Sequence, residues 1–459
     1  MNLRRAALYA GPLLAALVWW GFPDPRLSPD GRHALALTLL AVLWWASGAV
    51  APVWTTMTLL LGYVALGVAG PETVFRFLTT PLFWLMWSAF LLVAAMTQSG
   101  LARRIAGALL RRWRGGYTGL VLLAYAASLL LSPLVPIPFP RSLLVMAVFD
   151  AVLHRAQATA SQRAAVGFAV FTSATATSAA LLTGDAVLNG AALQIAGAQL
   201  TWLQWALHMA VPSLLMAGMM LLAHLALFRP GERIRPEGPV EPETLSPMSP
   251  AEWRTLLTMS LALLLWATDA FHSLHPAWAG MAAVLALALP VGGKPVLTVD
   301  DLVQRANWPI LLYVTGAASI GAVAAQTGLA AYLGERLLPA AAPQHPMLLG
   351  LILGGVTMVG HLFLGSSLST LAVMLPVLAG FGTAGGWPLE AVALTVYSAV
   401  AMQYILPFQA VPVLVGAGEA GGYGHKETLR FALPLTLLAL LLVSVIQPLW
   451  WQWTGLLSR

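Results

Sequence analysis

Apolar runs close to the length that crosses a bilayer recur along almost the whole chain, and this repetition constrains the fold more than any other feature. Stretches such as 6–22, 81–99, 204–228, 308–326 and 430–452 approach the roughly 20 residues that cross about 30 Å of hydrocarbon as a helix. Lipid offers no hydrogen bonds, so such runs satisfy their backbone internally and fold as helices. Others, 141–154 and 188–199, are too short to span alone, and Pro and Gly interrupt the pattern at 132–140, 183–190 and 407–412. Short, interrupted segments mark discontinuous helices and re-entrant hairpins, which are tolerated where they line a site inside protein. Charged residues make up 9% of the 459, against about 25% in soluble domains, too few to cover a soluble surface. Soluble enzymes, disordered regulators and coiled coils are excluded. The expected fold is an all-α polytopic membrane protein with about 11 transmembrane segments.

The 18 Trp fit that reading, because Trp favours the membrane–water boundary; pairs such as Trp19-Trp20 and Trp44-Trp45 close apolar runs. Having no Cys, the chain holds no disulfide, iron–sulfur cluster or thiol-ligated zinc. The net charge of +6 is not a nucleic-acid signature, since the basic residues are dispersed between the apolar runs and report topology. With the N-terminus cytoplasmic, 17 of the 23 Lys and Arg fall on the cytoplasmic side, at 4–5, 103–114, 155–163, 229–254, 294–305 and 426–430. Arg26, Arg32, Arg76, Arg336 and Arg459 lie opposite, and Arg141 is left inside the membrane. This count satisfies the positive-inside rule only if two hairpins, 117–154 and 346–385, enter and leave on one side. The expected setting is a bacterial-type inner or plasma membrane.

The chain also repeats itself. Pro81 with Gln98-Ser99-Gly100-Leu101-Ala102 recurs as Pro309 with Gln326-Thr327-Gly328-Leu329-Ala330, an offset of 228 in both cases. The assigned topology turns the two copies opposite ways, which predicts two inverted-topology repeats, each with a re-entrant hairpin and a broken helix, about 164–199 and 388–416. That is a transporter architecture with a site at the membrane midplane. The expected organisation is a first half, 1–228, a polar cytoplasmic linker, 229–252, and a second half, 253–459.

Four interrupted segments supply candidate residues: Ser132 to Arg141 and Gly365 to Thr370 at the hairpin tips, Thr183 to Asn189 and Pro407 to Val413 at the helix breaks. Breaks expose free N–H groups and a positive dipole end toward anions, and free carbonyls toward a bare cation. Arg141 stands out, because an intramembrane Arg costs at least ~2.5 kcal/mol at the bilayer centre and normally faces a partner or a wet cavity. Two readings compete: its fork grips a carboxylate or sulfate, or it snorkels or pairs structurally with Asp150 or Asp185. Asp185 in turn neutralises Arg141, ligates a cation, carries a coupling proton or caps the helix starting at Ala186. Gln409 holds the matching place in the second half. His361 reads as a packing residue, and Thr172 to Ser178 as a small polar stripe that packs helices.

With these residues in view, the chain resembles the divalent anion:sodium symporter family within the ion transporter superfamily, from about residue 35 to 452. Ser366-Ser367-Leu368-Ser369-Thr370 through Pro376 fits the family's second tip, Ser-Asn-Thr-Ala-Thr with a later Pro; Pro136 to Arg141 fits the first-tip frame of some relatives in its Pro and Arg. Asp185 to Asn189 and Gln409 to Val413 occupy the frames of the family's helix breaks. The resemblance implies secondary transport of small divalent anions (dicarboxylate, citrate or sulfate) by an elevator movement. It also implies Na+ as the coupling ion with no other cofactor, and a homodimer built on early helices of each half, about 33–99 and 255–326. Pro138 and Ser367 stand where the family has tip Asn residues, which implies a weakened sodium site and leaves a proton-coupled or efflux carrier as the alternative.

The expected substrate-facing set is Arg141, Pro138, Phe139, Ser366, Ser367, Leu368 and Thr370. The expected cation-facing set is Ser132, Asp185, Ala186, Asn189, Gly365, Gln409 and Ala410. Expected partners are a small anion and membrane lipid, with no nucleic acid. An integral-membrane enzyme is disfavoured because no His-Glu-x-x-His, Gly-x-Ser-x-Gly or acidic metal cluster occurs. A channel is disfavoured because nothing resembles a filter repeat.

Overall fold

The computed structural model describes residues 3–21, 24–111, 113, 115–228, 234, 247–290, 294–405 and 409–457. The described elements are helical, and six helices are long and apolar enough to cross a membrane by length and composition. Most of the proposed linker, and Pro407 and Phe408 of the second break, lie outside the described residues.

Local chemistry sets the helix ends. Thr159 with Gln162, Thr201 with Gln204, and Ser249 with Glu252 form reciprocal capping boxes at the starts of Ala160–Ser178, Trp202–Leu227 and Pro250–Ala267, satisfying N–H groups the helix leaves orphaned. Both copies of the Gln-x-Gly-Leu-Ala motif build the same structure. Pro81–Gln98 and Trp308–Gln326 each end at a left-handed Gly, Gly100 (φ +83°) and Gly328 (φ +76°), which starts a short amphipathic helix, Leu101–Leu110 or Leu329–Leu337.

The duplication extends into packing. Pro81–Gln98 of the first half lies on Pro276–Ala288 of the second, and Trp308–Gln326 of the second lies on Pro52–Ala65 of the first. At one crossing a Cβ on Gly280 would meet Ser88 Oγ at 2.5 Å; at the other a Cβ on Gly316 would meet Thr56 Cγ2 at 2.7 Å. Ser88 and Gly316 are 228 residues apart, Thr56 and Gly280 224, so each crossing pairs a Gly with a hydroxyl residue, exchanged between halves. Small residues let helix backbones approach without the help of a hydrophobic effect.

Each proposed hairpin consists of two helices separated by a short break. Tyr117–Leu131 and Pro138–Arg155 are joined through 132–137; Pro346–Leu364 and Ser367–Ala384 are joined through Gly365 and Ser366. Ala160–Ser178 stops short of Ala186–Ala196, and Leu389–Ala401 short of Val411–Gly416. The half-helix 186–196 then packs on hairpin arm 367–384 of the other half, and 411–416 packs on arm 138–155. This reciprocal exchange brings both tips and both breaks to one place.

Candidate functional site

The first tip and first break form a single hydrogen-bonded unit. Arg141, fully buried, donates through Nη1 to the carbonyls of Val135 (3.0 Å) and Gly184 (3.2 Å), and through Nη2 to Ala174 O (3.5 Å) and Ser178 Oγ (2.5 Å). Asn189 Nδ2 donates to the carbonyls of Ser178, Leu181 and Leu182 at 3.0–3.3 Å, covering acceptors exposed where the helix stops. Its buried Oδ1 has no hydrogen-bond partner. Ala186 N donates to Pro136 O (3.0 Å) and Ser132 Oγ to Thr177 O (3.3 Å). Asp185 Oδ1 accepts from Leu188 N at 3.1 Å, so Asp185 is the N-cap of Ala186–Ala196.

The second tip is tied to the second break in the same manner. Ser367 Oγ donates to Gln409 O (2.8 Å), Gln409 Nε2 donates to His361 O (3.2 Å), and Gln409 Oε1 accepts from Ile405 N (2.7 Å). Gly365 takes φ +68°, which turns the chain sharply, and donates its N–H to the same His361 carbonyl. Thr370 Oγ1 bonds back to Ser366 O at 2.8 Å.

Between the two units lies a cavity of about 170 Å³. Pro138, Phe139, Asp185, Ser366, Ser367, Leu368, Gln409 and Ala410 line it. Eight of the fourteen expected residues thus meet around one space. Arg141, Thr370, Ser132, Ala186, Asn189 and Gly365 do not line it; they hold the surrounding backbone by the bonds just described. For Arg141 this corrects the expectation of a side chain open to the cavity. It also corrects the expected ion pairs: Asp150 is bound by Arg163 (2.9 and 3.0 Å), and the two terminal nitrogens of Arg141 bond to three carbonyls and the Ser178 hydroxyl, while its buried Nε has no hydrogen-bond partner. A helix break supplies acceptors nearer than any carboxylate, so the guanidinium spends its donors there.

Four lining hydroxyl residues escaped the sequence reading: Tyr313, Tyr397, Thr175 and Ser178. Thr175 and Ser178 belong to the stripe read as packing, and their place on the last turns before the break was the available signal. Tyr313 carried no local signal, since it sits in an unbroken apolar helix. Its hydroxyl meets Ser366 Oγ at 2.9 Å and Ser369 Oγ at 2.7 Å. Among the described lining residues Asp185 is the one charged side chain. A second, wider cleft of about 1070 Å³ opens at the other end of Trp308–Gln326, bounded by Arg76, Leu82, Gln194, Asp269, His275 and Ala322 among others.

A family model described as the sodium:sulfate symporter transmembrane region matches residues 4–457. The chain belongs to this family. Sodium:sulfate symporter family membership makes it a multi-pass membrane protein and a secondary anion transporter. The chain is 26% identical to a membrane protein of Cupriavidus necator, over 96% of this chain and 91% of that one. It is 24% identical to the putative malate transporter YflS of Bacillus subtilis, over 68% of each. The crystal structure of the Alcanivorax borkumensis YdaH transporter superposes with a TM-score of 0.53, covering 98% of this chain and 97% of that one at 18% identity. That likeness extends the family assignment to a shared transporter fold.

Proposed function

We propose that this family member carries small organic dianions of the dicarboxylate class across the membrane, coupled to a monovalent cation, by an elevator movement of the hairpin and broken-helix unit against the remaining helices. The observation that carries the proposal is the cavity itself. It stands where both tips and both breaks meet, it combines apolar walls with hydroxyls from Tyr313, Ser366, Ser367 and Tyr397, and it has room for a small molecule. Its volume of about 170 Å³ suits a few-carbon anion. Ser367 and Leu368 open the helix Ser367–Ala384, whose first N–H groups have no side-chain cap and suit a carboxylate. The apolar wall favours an organic anion over sulfate. The description of YflS as a putative malate transporter points the same way.

Coupling to a cation follows from Asp185. A carboxylate facing a poorly hydrated space repels a dianion, and leaving it charged there is costly. A cation on Asp185 removes both penalties. The partnerless Oδ1 of Asn189 lies in the same break, four residues on, and supports sodium near it. A proton on Asp185 is the second reading, favoured by Pro138 and Ser367 at the two tips, which offer no side-chain amide oxygen to a metal ion. Uptake of a radiolabelled C4 dicarboxylate into proteoliposomes, under a sodium gradient or a pH gradient, separates the two. Thermal stabilisation across dicarboxylates, citrate and sulfate, in sodium or choline, tests the substrate class, because a ligand that binds only the folded state raises the melting point. Stabilisation by sulfate alone would overturn the dicarboxylate assignment.

A further inference from the structure

The helix Trp308–Gln326 touches two empty spaces, one at each end. Ile310 and Tyr313, in its first two turns, line the small cavity; Ala318 to Ala325, in its last turns, line the wide cleft. The tip of the second hairpin therefore stands at the Trp308 end, while Ile195 and Pro376 of the same unit reach Gly321 and the wide cleft opens beside them at the Gln326 end. Tyr313 belongs to the opposing helices. Its ring is held edge-on by Trp45 of Pro29–Ser47, centroids 4.7 Å apart and planes at 86°, and Trp45 is itself buried. Its hydroxyl reaches across to Ser366 and Ser369 on the second hairpin. These are the two side-chain hydrogen bonds joining Tyr313 to that hairpin.

The internal repeat says what faces the unit at the other end. The offset of 228 maps Ile310 onto Leu82 and Tyr313 onto Leu85. Leu82 lines the wide cleft, as Ile310 lines the cavity. The tip register of Ser367 on Pro138, an offset of 229, maps Ser366 onto Ile137 and Ser369 onto Pro140. Exchanging the halves thus replaces Tyr313 against two serines by Leu85 against Ile137 and Pro140. Of the two end positions, one carries a hydroxyl cluster and the other an apolar contact. With a rise of 1.5 Å per residue, moving from the third to sixth residue at one end to the same place at the other is a shift of roughly 15 Å.

We propose that Tyr313 is a positioning residue that holds the transport unit at the Trp308 end of its track and biases the carrier toward that state. This rests on the elevator reading above. Tyr313→Phe keeps the ring against Trp45 and removes the hydroxyl. Since an ordinary hydrogen bond is worth about 0.5–1.5 kcal/mol net, losing the hydroxyl's two bonds shifts the balance between end states by roughly fivefold to a hundredfold.

The natural chain has no Cys, so paired cysteines report position cleanly. Ile310→Cys with Ser366→Cys reports the present position and removes the Ser366 bond in both backgrounds, so Tyr313→Phe there reads the bond to Ser369; Leu82→Cys with Ile137→Cys, its repeat equivalent, reports the other. Cross-linking rates of both pairs are measured in proteoliposomes, in the natural background and with Tyr313→Phe. The expected result is that both pairs cross-link, and that Tyr313→Phe speeds the Leu82–Ile137 pair and slows the Ile310–Ser366 pair. Ser369→Ala removes a bond from the opposite side and is expected to shift the same balance, which keeps the test open if the Phe variant folds poorly. If both pairs cross-link and neither substitution changes their ratio, Tyr313 has no such role and the elevator stands. If the Leu82–Ile137 pair never forms in protein that transports, the elevator reading itself fails, and this inference with it.

Discussion

Arg141 donates to the carbonyl of Gly184 at 3.2 Å, while the next residue, Asp185, lines the cavity and caps the helix behind it through Leu188 N. The positive and the negative group of the first half thus act on adjacent residues without forming an ion pair. Asp185 still attracts Arg141 electrostatically, and the guanidinium gains its hydrogen bonds from the backbone. The break keeps its shape by one charge and places the other beside the cavity.

Removing the clamp should therefore cost folding before it costs binding. Arg141→Ala strands the carbonyls of Val135 and Gly184, and each buried group left unsatisfied costs about 1–3 kcal/mol. A marked drop in melting temperature in detergent is expected. Arg141→Lys recovers part of it, because an ammonium donates but cannot reproduce the planar fork. An Arg141→Ala protein that melts like the natural one would remove the clamp role.

At Asp185 the balance is the opposite. Asn caps a helix about as well as Asp, whereas Ala loses about 1 kcal/mol. Asp185→Asn should leave the melting temperature of the ligand-free protein nearly unchanged and abolish the cation dependence of dicarboxylate stabilisation. Thermal-shift titrations in sodium, in choline and across pH read this directly. Unaltered cation dependence in Asp185→Asn would take Asp185 out of the coupling.

Gly184 carries a geometric prediction. A Cβ there would lie 2.3 Å from Ser178 O and 2.7 Å from Ser132 Oγ, and the carbonyl is backbone that cannot swing away. Overpacking of this kind costs typically 1–3 kcal/mol. Gly184→Ala should lower both the melting temperature and uptake, whereas Gly218→Ala, with open space at its Cβ position, should change neither. Equal behaviour of the two variants would contradict the tight packing of the first break.

Outside the apolar spans, Glu252 supplies a pH prediction. It accepts from Arg104 Nε at 2.6 Å and Nη2 at 3.0 Å, and this hydrogen bonding holds its carboxyl below the ordinary glutamate value. A carboxyl depressed in the folded state adds stability above its unfolded pKa, and that contribution fades as pH falls through the folded value. Melting temperature should fall on acidification through this range, and Glu252→Gln should flatten that part of the profile. A natural protein and Glu252→Gln variant with parallel profiles would show that the pair contributes nothing measurable.

How much was legible beforehand depended on the range of the interactions involved. The hairpins were readable because Pro133, Pro136, Pro138 and Gly365 interrupt apolar runs, and an interruption in lipid has few structural outcomes. The paired architecture was readable because Pro81 and Pro309 begin matching segments. Eight cavity residues followed from position in those interruptions. Tyr313 did not, because nothing in its own helix distinguishes it from a packing residue.

From the sequence alone came a chain confined to the membrane, duplicated, and broken at four places, because hydrophobic length and the backbone limits of Pro and Gly act within a single segment. Only the tertiary structure decided which way the side chains at those breaks turn. Arg141 lies against carbonyls from three elements, Asp185 faces a cavity walled by both halves, and Tyr313 meets serines more than fifty residues away. Each orientation depends on acceptors and neighbours that exist only once the two repeats have packed together.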